Sequence, residues 1–152
     1  MYSVFFCASG DTPPSTTTDA KEKDWHIDFN EIEQLHWLGS GAHGYVFRGL
    51  YNGNTVAVKK LKELEMTQKE MQALQQLDHP HIIRVLGVCL REPSYALVME
   101  FCPASLYDII HKQEREIPPR LVLDYASQIA RGVEYLHSKH IIHRDLKVCM
   151  VS

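Results

Sequence analysis

The sequence lacks the paired cysteine spacings that bind zinc or build a disulfide framework. Its four cysteines lie far apart, at Cys7, Cys89, Cys102 and Cys149. Isolated cysteines of this kind are ordinary thiols and are typical of a reducing compartment. We therefore expect a cytoplasmic protein with neither a disulfide nor a zinc site.

Long apolar runs and clusters of one charge are also missing. The apolar start, MYSVFFCAS at residues 1–9, has no basic residue before it and is too short for a secretory core or a membrane span. Lys and Arg number 16 against 19 Asp and Glu, a net charge of -3 without a basic run. The sequence thus argues against a membrane span and against nucleic acid as a partner.

The remaining composition is that of a globular chain, 45% hydrophobic and 23% charged over 152 residues, which is enough for one domain or part of one. Residues 10–24 are polar and rich in Pro and Thr, so we predict that residues 1–24 are a flexible lead-in and that folded structure starts at Trp25. Short apolar segments then predict strands at 32–39, 44–51 and 54–61. Asn52-Gly53 predicts a tight hairpin between the second and third.

The second half of the sequence has an apolar pattern that predicts both helices and strands. Thr67 is a suitable N-cap for a helix over residues 66–77, and Asp78-His79-Pro80 ends it. Further elements are predicted as strands at 83–90 and 95–101 and helices at 105–111 and 118–139. Five strands with an inserted helix and a helical continuation indicate an α+β fold.

A glycine-rich segment, Gly39 to Val46, fits the pattern GxGxxGxV. Glycines let a backbone approach phosphate oxygens without a side chain in the way. A dinucleotide-binding domain also uses GxGxxG, but there the motif joins a strand to a helix. Here the residues after Gly44 are strand-like, which favours a hairpin loop.

Lys59 lies 13 residues beyond Val46, in the segment Val-Ala-Val-Lys. Strand alternation places Ala57 and Lys59 on one face, which suits a small residue under a purine and an ammonium that reaches phosphates. The alternative for Lys59 is an edge-strand lysine kept for solubility. Glu70 shares the apolar face of the next helix, so we predict that it pairs with Lys59. The alternative is a capping box between Thr67 and Glu70.

The segment HIIHRDLK, residues 140–147, follows the last helical pattern. An acid two residues before a lysine is suited to activating a hydroxyl near a phosphate. His137, His140 and His143 recur every third residue, but no carboxylate or thiol completes a ligand set, so we predict no metal site.

Taken in order, these segments resemble a protein kinase domain. The resemblance covers residues 25–147 and implies a kinase N-lobe, a five-stranded antiparallel sheet with one helix, followed by a truncated helical C-lobe. WLGSGAHGYVF, GVCLREPSYALVMEF and QIARGVEYLH resemble the mixed-lineage and dual-leucine-zipper-bearing group of MAP kinase kinase kinases. The tail, residues 148–152, departs from the family, and we expect it to be read-through past an exon boundary.

The resemblance assigns roles to individual residues. It implies a catalytic set of four residues: Asp145, Lys147, Lys59 and Glu70. In this set Asp145 orients the substrate hydroxyl and Lys147 supports the transferred phosphate. The ATP-binding set that it implies is Leu38, Gly39, Ser40, Gly41, Ala42, His43, Gly44, Val46, Ala57, Lys59, Met99 as gatekeeper, Glu100 and Cys102.

The chain departs from the family at the magnesium site. HRDLxxxN would place an asparagine at position 150, but this chain has Met150, and its 152 residues contain no Asp-Phe-Gly. The protein ligands for magnesium, which the full-length family uses, are therefore missing, and we expect this chain to be inactive. Without a following helical region, Val122, Ile129, Val133 and Leu136 are expected to face solvent or a partner.

Two functions remain open on the sequence. The first is a serine/threonine kinase of MAP kinase kinase kinase type, with ATP and a MAP kinase kinase as substrates. The second is a non-catalytic kinase fragment that competes for nucleotide or protein partners.

Overall fold

The computed structural model describes residues 25–41, 44–62, 66–112 and 117–143. These residues form two compact units: a sheet unit within residues 25–77 and 84–101, and a helical unit within residues 78–83 and 102–143. The sheet unit contains five strands and one α-helix, and the helical unit contains two α-helices. The predicted α+β class is confirmed.

The sheet is antiparallel throughout and has the order β1-β2-β3-β5-β4. Its strands are β1 (Glu33–Gly41), β2 (Gly44–Tyr51), β3 (Asn54–Lys60), β4 (Val85–Cys89) and β5 (Ala96–Glu100). All five lie where the sequence predicts them, within a few residues at each end.

The turn between β2 and β3 is the predicted hairpin. Asn52 has φ 48° and Gly53 has φ 75°. Two left-handed residues in a two-residue loop match the right-handed twist of the flanking strands, and asparagine followed by glycine tolerates this conformation best. The loop fixes the β2–β3 register, with Tyr51 opposite Asn54.

One face of the sheet carries the core of the unit. Val56, Val58 and Val98 are fully buried there, and Ile27 and Ile32 from the segment before β1 pack over them. Alternation along β3 sends Ala57 and Lys59 to the opposite face. The core therefore leaves that opposite face available for a site.

The segment Trp25–Asp28, here called the N-terminal strap, lies along the outer edge of β4. Val88 donates its N–H to Trp25 O and accepts from Ile27 N, both at 2.9 Å, and His26 forms a parallel bridge with Val88. A side chain at Gly87 would meet Ile27 Cδ1 at 2.6 Å. Trp25 thus already belongs to the sheet unit, and the flexible lead-in predicted over residues 1–24 lies outside the described residues.

Helix α1 (Gln68–Gln75) begins at the predicted N-cap. Thr67 Oγ1 accepts from Glu70 N at 3.3 Å, and Thr67 N donates to Glu70 Oε2 at 2.6 Å, which completes a capping box. Leu74 and Leu77 are buried, and the helix packs against β4.

The helical unit contains α2 (Leu106–Lys112) and α3 (Pro119–Ser138). Pro119 occupies the first turn of α3, where its missing N–H has no helical partner to lose. The expectation that Leu136 faces solvent or a partner is wrong, because this side chain is 0% exposed. Val122 is exposed, whereas Ile129 and Val133 are half-buried.

Tyr135 of α3 anchors the loop that contains His79. Its hydroxyl accepts from Asp78 N at 3.0 Å, and its ring stacks on His79 with centroids 4.8 Å apart. His81 N donates to His79 Nδ1 at 3.1 Å.

Among the described residues, no helix is long and apolar enough to cross a membrane.

Candidate functional site

The glycine-rich segment joins two antiparallel strands. β1 and β2 pair from Trp37 opposite Phe47 to Gly41 opposite Gly44, so the motif is the tip of a hairpin. The residues after Gly44 form a strand and not a helix. This geometry excludes the strand–loop–helix arrangement of a dinucleotide-binding domain.

Two glycines of the motif differ in what the fold demands of them. Gly44 has φ 135°, and a Cβ there would overlap the backbone carbonyl oxygen of Lys60, so the fold itself requires glycine. A Cβ at Gly39 would meet nothing within 4 Å. Among the described residues nothing therefore packs against this position, which leaves space on this side of the hairpin that a ligand can approach.

Four of the predicted ATP-binding residues share the sheet face opposite the core. Val46 lies opposite Lys59 across β2 and β3, and Ala57 lies opposite Met99 across β3 and β5. Directly opposed residues of an antiparallel pair project to the same face, and Ala57 and Lys59 are two residues apart. The register therefore groups all four around one patch of the sheet.

Lys59 is only 8% exposed, although it is a charged residue on a sheet face. Leu97 lies opposite it on β5 and Val46 on β2, so apolar neighbours flank its aliphatic stem. A lysine kept for solubility at a sheet edge would be exposed, and β3 is an inner strand of this sheet. The position favours a lysine with a specific partner.

Glu70 uses its carboxylate in the capping box of α1. This contact is the alternative that the sequence left open. One carboxylate oxygen, Oε2, accepts from Thr67 N, and a carboxylate has a second oxygen with which to bind a cation. The predicted ion pair with Lys59 stays a prediction.

The end of β5 is tied to the residue before β4. Glu100 N donates to Arg84 O at 3.0 Å, and Glu100 Oε1 accepts from Arg84 N at 2.9 Å. Sequence reasoning missed this clamp, and its only signal is an acid at the end of an apolar strand. The N–H of Glu100 already donates to Arg84 O. The backbone of Glu100 could therefore bind a nucleobase only through its carbonyl oxygen. Cys102 follows two residues later and is half-buried.

Leu38 and Ser40 belong to the last part of β1. The register advances by two residues on β1 and by one on β2 between Trp37 and Gly39, so Leu38 is a bulged residue. It is 49% exposed. Ser40 lies opposite Tyr45 beside the hairpin tip.

Four predicted site residues lie outside the described residues: Ala42, His43, Asp145 and Lys147. His143, two residues before the predicted catalytic acid, is among the described residues and is buried. Within the described ranges, no group of three or more His, Cys, Asp or Glu could hold a metal ion.

Comparison with known proteins identifies the family. Residues 32–152 match the family described as "Protein tyrosine and serine/threonine kinase". The chain belongs to the protein kinase family. The match extends through residues 148–152, so their assignment to a tail outside the kinase domain stays a prediction.

Similar kinases come from several animals. The chain is 44% identical to mitogen-activated protein kinase kinase kinase 13-A of Xenopus laevis over 86% of its length. It is 41% identical to mitogen-activated protein kinase kinase kinase dlk-1 of Caenorhabditis briggsae over 91%. With mitogen-activated protein kinase kinase kinase 12 of Rattus norvegicus, it shares 44% identity over 88%. The aligned part spans only 14%, 16% and 15% of these relatives, respectively.

Proposed function

We propose that the protein is a serine/threonine kinase of the MAP kinase kinase kinase type, acting in the cytoplasm on a MAP kinase kinase. The observation that supports this most is the grouping of Val46, Ala57, Lys59 and Met99 on one sheet face, next to a glycine hairpin. The names of its relatives support the subgroup. Lys147, two residues after Asp145, is typical of serine/threonine kinases.

The residues of the sheet unit fit ATP. Gly39 leaves room for a close backbone approach, and Lys59 would place its ammonium against the phosphates. Ala57 is small enough to lie under the adenine ring, and the Glu100 carbonyl and the Cys102 backbone would bind its edge. ATP supplies the phosphoryl group, and Asp145 would accept the proton of the substrate hydroxyl.

Magnesium does not fit the donor set of these 152 residues. Position 150 holds a methionine, whose soft thioether is a poor ligand for a hard cation that prefers oxygen. Residues 1–152 contain no Asp-Phe-Gly segment. We therefore expect the polypeptide of residues 1–152 to show no phosphotransfer. Transfer that survives clean purification and disappears in Asp145→Ala would contradict this expectation.

Met150 also supports a second candidate, a non-catalytic module that binds nucleotide or a protein partner. The two candidates agree on the fold of the sheet unit and differ in the chemistry that residues 143–147 perform. A test must therefore supply the magnesium ligands that this polypeptide lacks.

A chimera provides that test. Residues 32–147 replace the matching stretch of the human mitogen-activated protein kinase kinase kinase 13, a 44% identical relative. We expect the chimera to phosphorylate a MAP kinase kinase, and Lys59→Met or Asp145→Asn to reduce the rate by at least about 100-fold. A chimera that binds ATP but transfers no phosphate would favour the non-catalytic module.

A further inference from the structure

Helix α3 carries an exposed apolar surface, here called the α3 stripe, formed by Val122, Leu123, Ala126, Ile129, Ala130 and Val133. Val122 is 51% exposed and Leu123 is 70% exposed. Ala126 and Ala130 are also exposed, and Ile129 and Val133 are half-buried. Most neighbours in this set are three or four residues apart, so they line one side of the helix over about 17 Å.

The α3 stripe is not the side by which α3 is held in the helical unit. Gly132 and Leu136 are the buried residues of the helix, and Tyr135 stacks on His79. At about 100° of rotation per residue, positions 132, 135 and 136 lie about 80–180° away from the centre of the stripe. Single exposed apolar side chains are common, whereas a continuous set of them usually marks a binding surface.

One border of the α3 stripe carries two opposite charges. Arg120, Ser127 and Glu134 follow one another at intervals of seven residues, so they lie along the same side of the helix. Arg120 and Glu134 are exposed, and neither makes an ion pair or a side-chain hydrogen bond with another described residue. Glu134 lines an open groove together with Ala130 and Val133 of the stripe. The border is thus positive at one end and negative about 21 Å further along.

We propose that α3 pairs with α3 of a second copy of the chain, antiparallel, about a two-fold axis beside Ser127. In this arrangement residue 120 of one copy lies opposite residue 134 of the other, so an Arg120–Glu134 ion pair forms on each side of the axis. The two α3 stripes then face each other, and the small Ala126 and Ala130 near the axis let the two helices approach closely.

The charges favour a second copy over an unrelated partner and fix its orientation. Inverting the border exchanges its positive and negative ends, so the surface is complementary to itself. A parallel pair would instead place Arg120 beside Arg120 and Glu134 beside Glu134, and like charges repel. The α3 stripe contains none of the predicted catalytic or ATP-binding residues, so this pairing goes beyond the proposed kinase function and does not depend on it.

The size of the surface predicts a weak dimer. Helix α3 has 20 residues, and it therefore presents a footprint about 30 Å long and about 10 Å wide. This footprint is well below the roughly 800 Å² that each partner contributes to a stable interface of standard size. We therefore expect a dissociation constant of about 10–100 µM.

Sedimentation velocity of the full polypeptide of 152 residues tests the pairing. Concentrations from about 5 to about 500 µM bracket the expected dissociation constant. Ala126→Glu places a charge next to the two-fold axis, and we expect it to raise the dissociation constant at least about tenfold. Ala104→Glu, the same change at an exposed alanine outside α3, is the control and should leave the dissociation constant unchanged.

Charge reversal tests the antiparallel orientation. Arg120→Glu and Glu134→Arg should each weaken the dimer about three- to tenfold, because each change creates two like-charge contacts. The double variant restores two opposite-charge contacts and should return the dissociation constant to the parental value. Equal dissociation constants in the parent and in both single variants would overturn the proposed pairing. Both positions are exposed, so this test decides the question even if Ala126→Glu destabilises the helix.

Amide hydrogen exchange of residues 119–138 identifies what covers the α3 stripe. We expect the protection of α3 to increase with protein concentration, and Ala126→Glu to remove this increase. Protection that is the same at every concentration would assign the stripe to residues of the same chain and would overturn the proposal. So would a monomer throughout the concentration range, or a dimer that Ala126→Glu and the single charge reversals leave unchanged, because its interface would lie elsewhere.

Discussion

For the single residue Glu70, a capping contact is observed and an ion pair is predicted. Its Oε2 closes the capping box of α1, and its predicted role is to pair with Lys59. The two roles depend on different properties, since a neutral amide can accept a capping hydrogen bond and only a carboxylate can pair with an ammonium.

Substitutions at both ends of the capping box separate these roles. We expect Thr67→Ala to lower the free energy of unfolding by about 1 kcal/mol, and Thr67→Ser to preserve it, because serine keeps the capping oxygen. Glu70→Gln should keep most of the stability and weaken ATP binding about tenfold through loss of the ion pair. Urea denaturation and calorimetry measure the two effects. Unchanged ATP affinity in Glu70→Gln would leave Glu70 with the capping role alone.

At the scale of elements, the N-terminal strap is part of the folded unit although the family match starts only at residue 32. Ile27 is buried in the core cluster, and the backbone of the strap pairs with Val88. Removing the strap would expose both the core and the edge of β4.

Truncation of one side chain tests the strap. We expect Ile27→Ala to reduce the free energy of unfolding by about 2–4 kcal/mol, as for other large-to-small changes in a core. Ile142→Ala, at a position that is exposed, is the matched control and should change it by less than about 0.5 kcal/mol. Equal effects of the two changes in urea denaturation would show that the strap does not stabilise the unit.

The strands and helices themselves are predictable from the sequence because each has a local signal. Asn52-Gly53 determines its hairpin, Thr67 its helix start, and Pro119 the start of α3. What the sequence does not show is pairing over long distances: β5 inserts between β3 and β4, and the strap finds the edge of β4. No local pattern encodes these contacts.

For the candidate site too, the sequence shows local patterns and does not show pairing between distant strands. Ala57 and Lys59 share a face because of strand alternation, which the sequence shows directly. The placement of Val46 and Met99 on the same face depends on registers between strands, and the sequence supports it only through the family resemblance. The clamp between Arg84 and Glu100 joins residues 16 positions apart and has no sequence pattern.

At the scale of the whole molecule, stability should depend on pH through His79 and His81. Burial lowers the pKa of His79, against the opposing effect of Asp78. The pKa of His81 is also lowered, first by burial and then by His79 and Arg131. His81 Nδ1 is buried and makes no hydrogen bond to any described residue. Both folded-state pKa values therefore lie below the ordinary value of 6.5.

The sign of the pH effect follows from this direction. Above pH 6.5 both histidines are neutral in the folded and unfolded states, so they make their full contribution to the free energy of unfolding. Below pH 6.5 the unfolded chain binds protons first, and stability falls until the folded-state pKa values are passed. Thermal melts between pH 7.5 and 5 should show this loss, and His81→Gln should reduce it. His137→Gln, at an exposed histidine, is the control. An identical pH dependence in His81→Gln would contradict the assignment.

The proposed ATP site of the sheet unit belongs to a polypeptide that has Met150 where the kinase pattern places a magnesium-binding asparagine. Calorimetric titration of the full polypeptide with ATP, with and without magnesium, tests this proposal. We expect weak binding, with a dissociation constant of about 0.1 mM or higher, that magnesium changes little and that Lys59→Ala abolishes. Exposed Lys62→Ala serves as the control and should leave the binding unchanged. Tight binding that requires magnesium, or binding that survives Lys59→Ala, would contradict the proposed site.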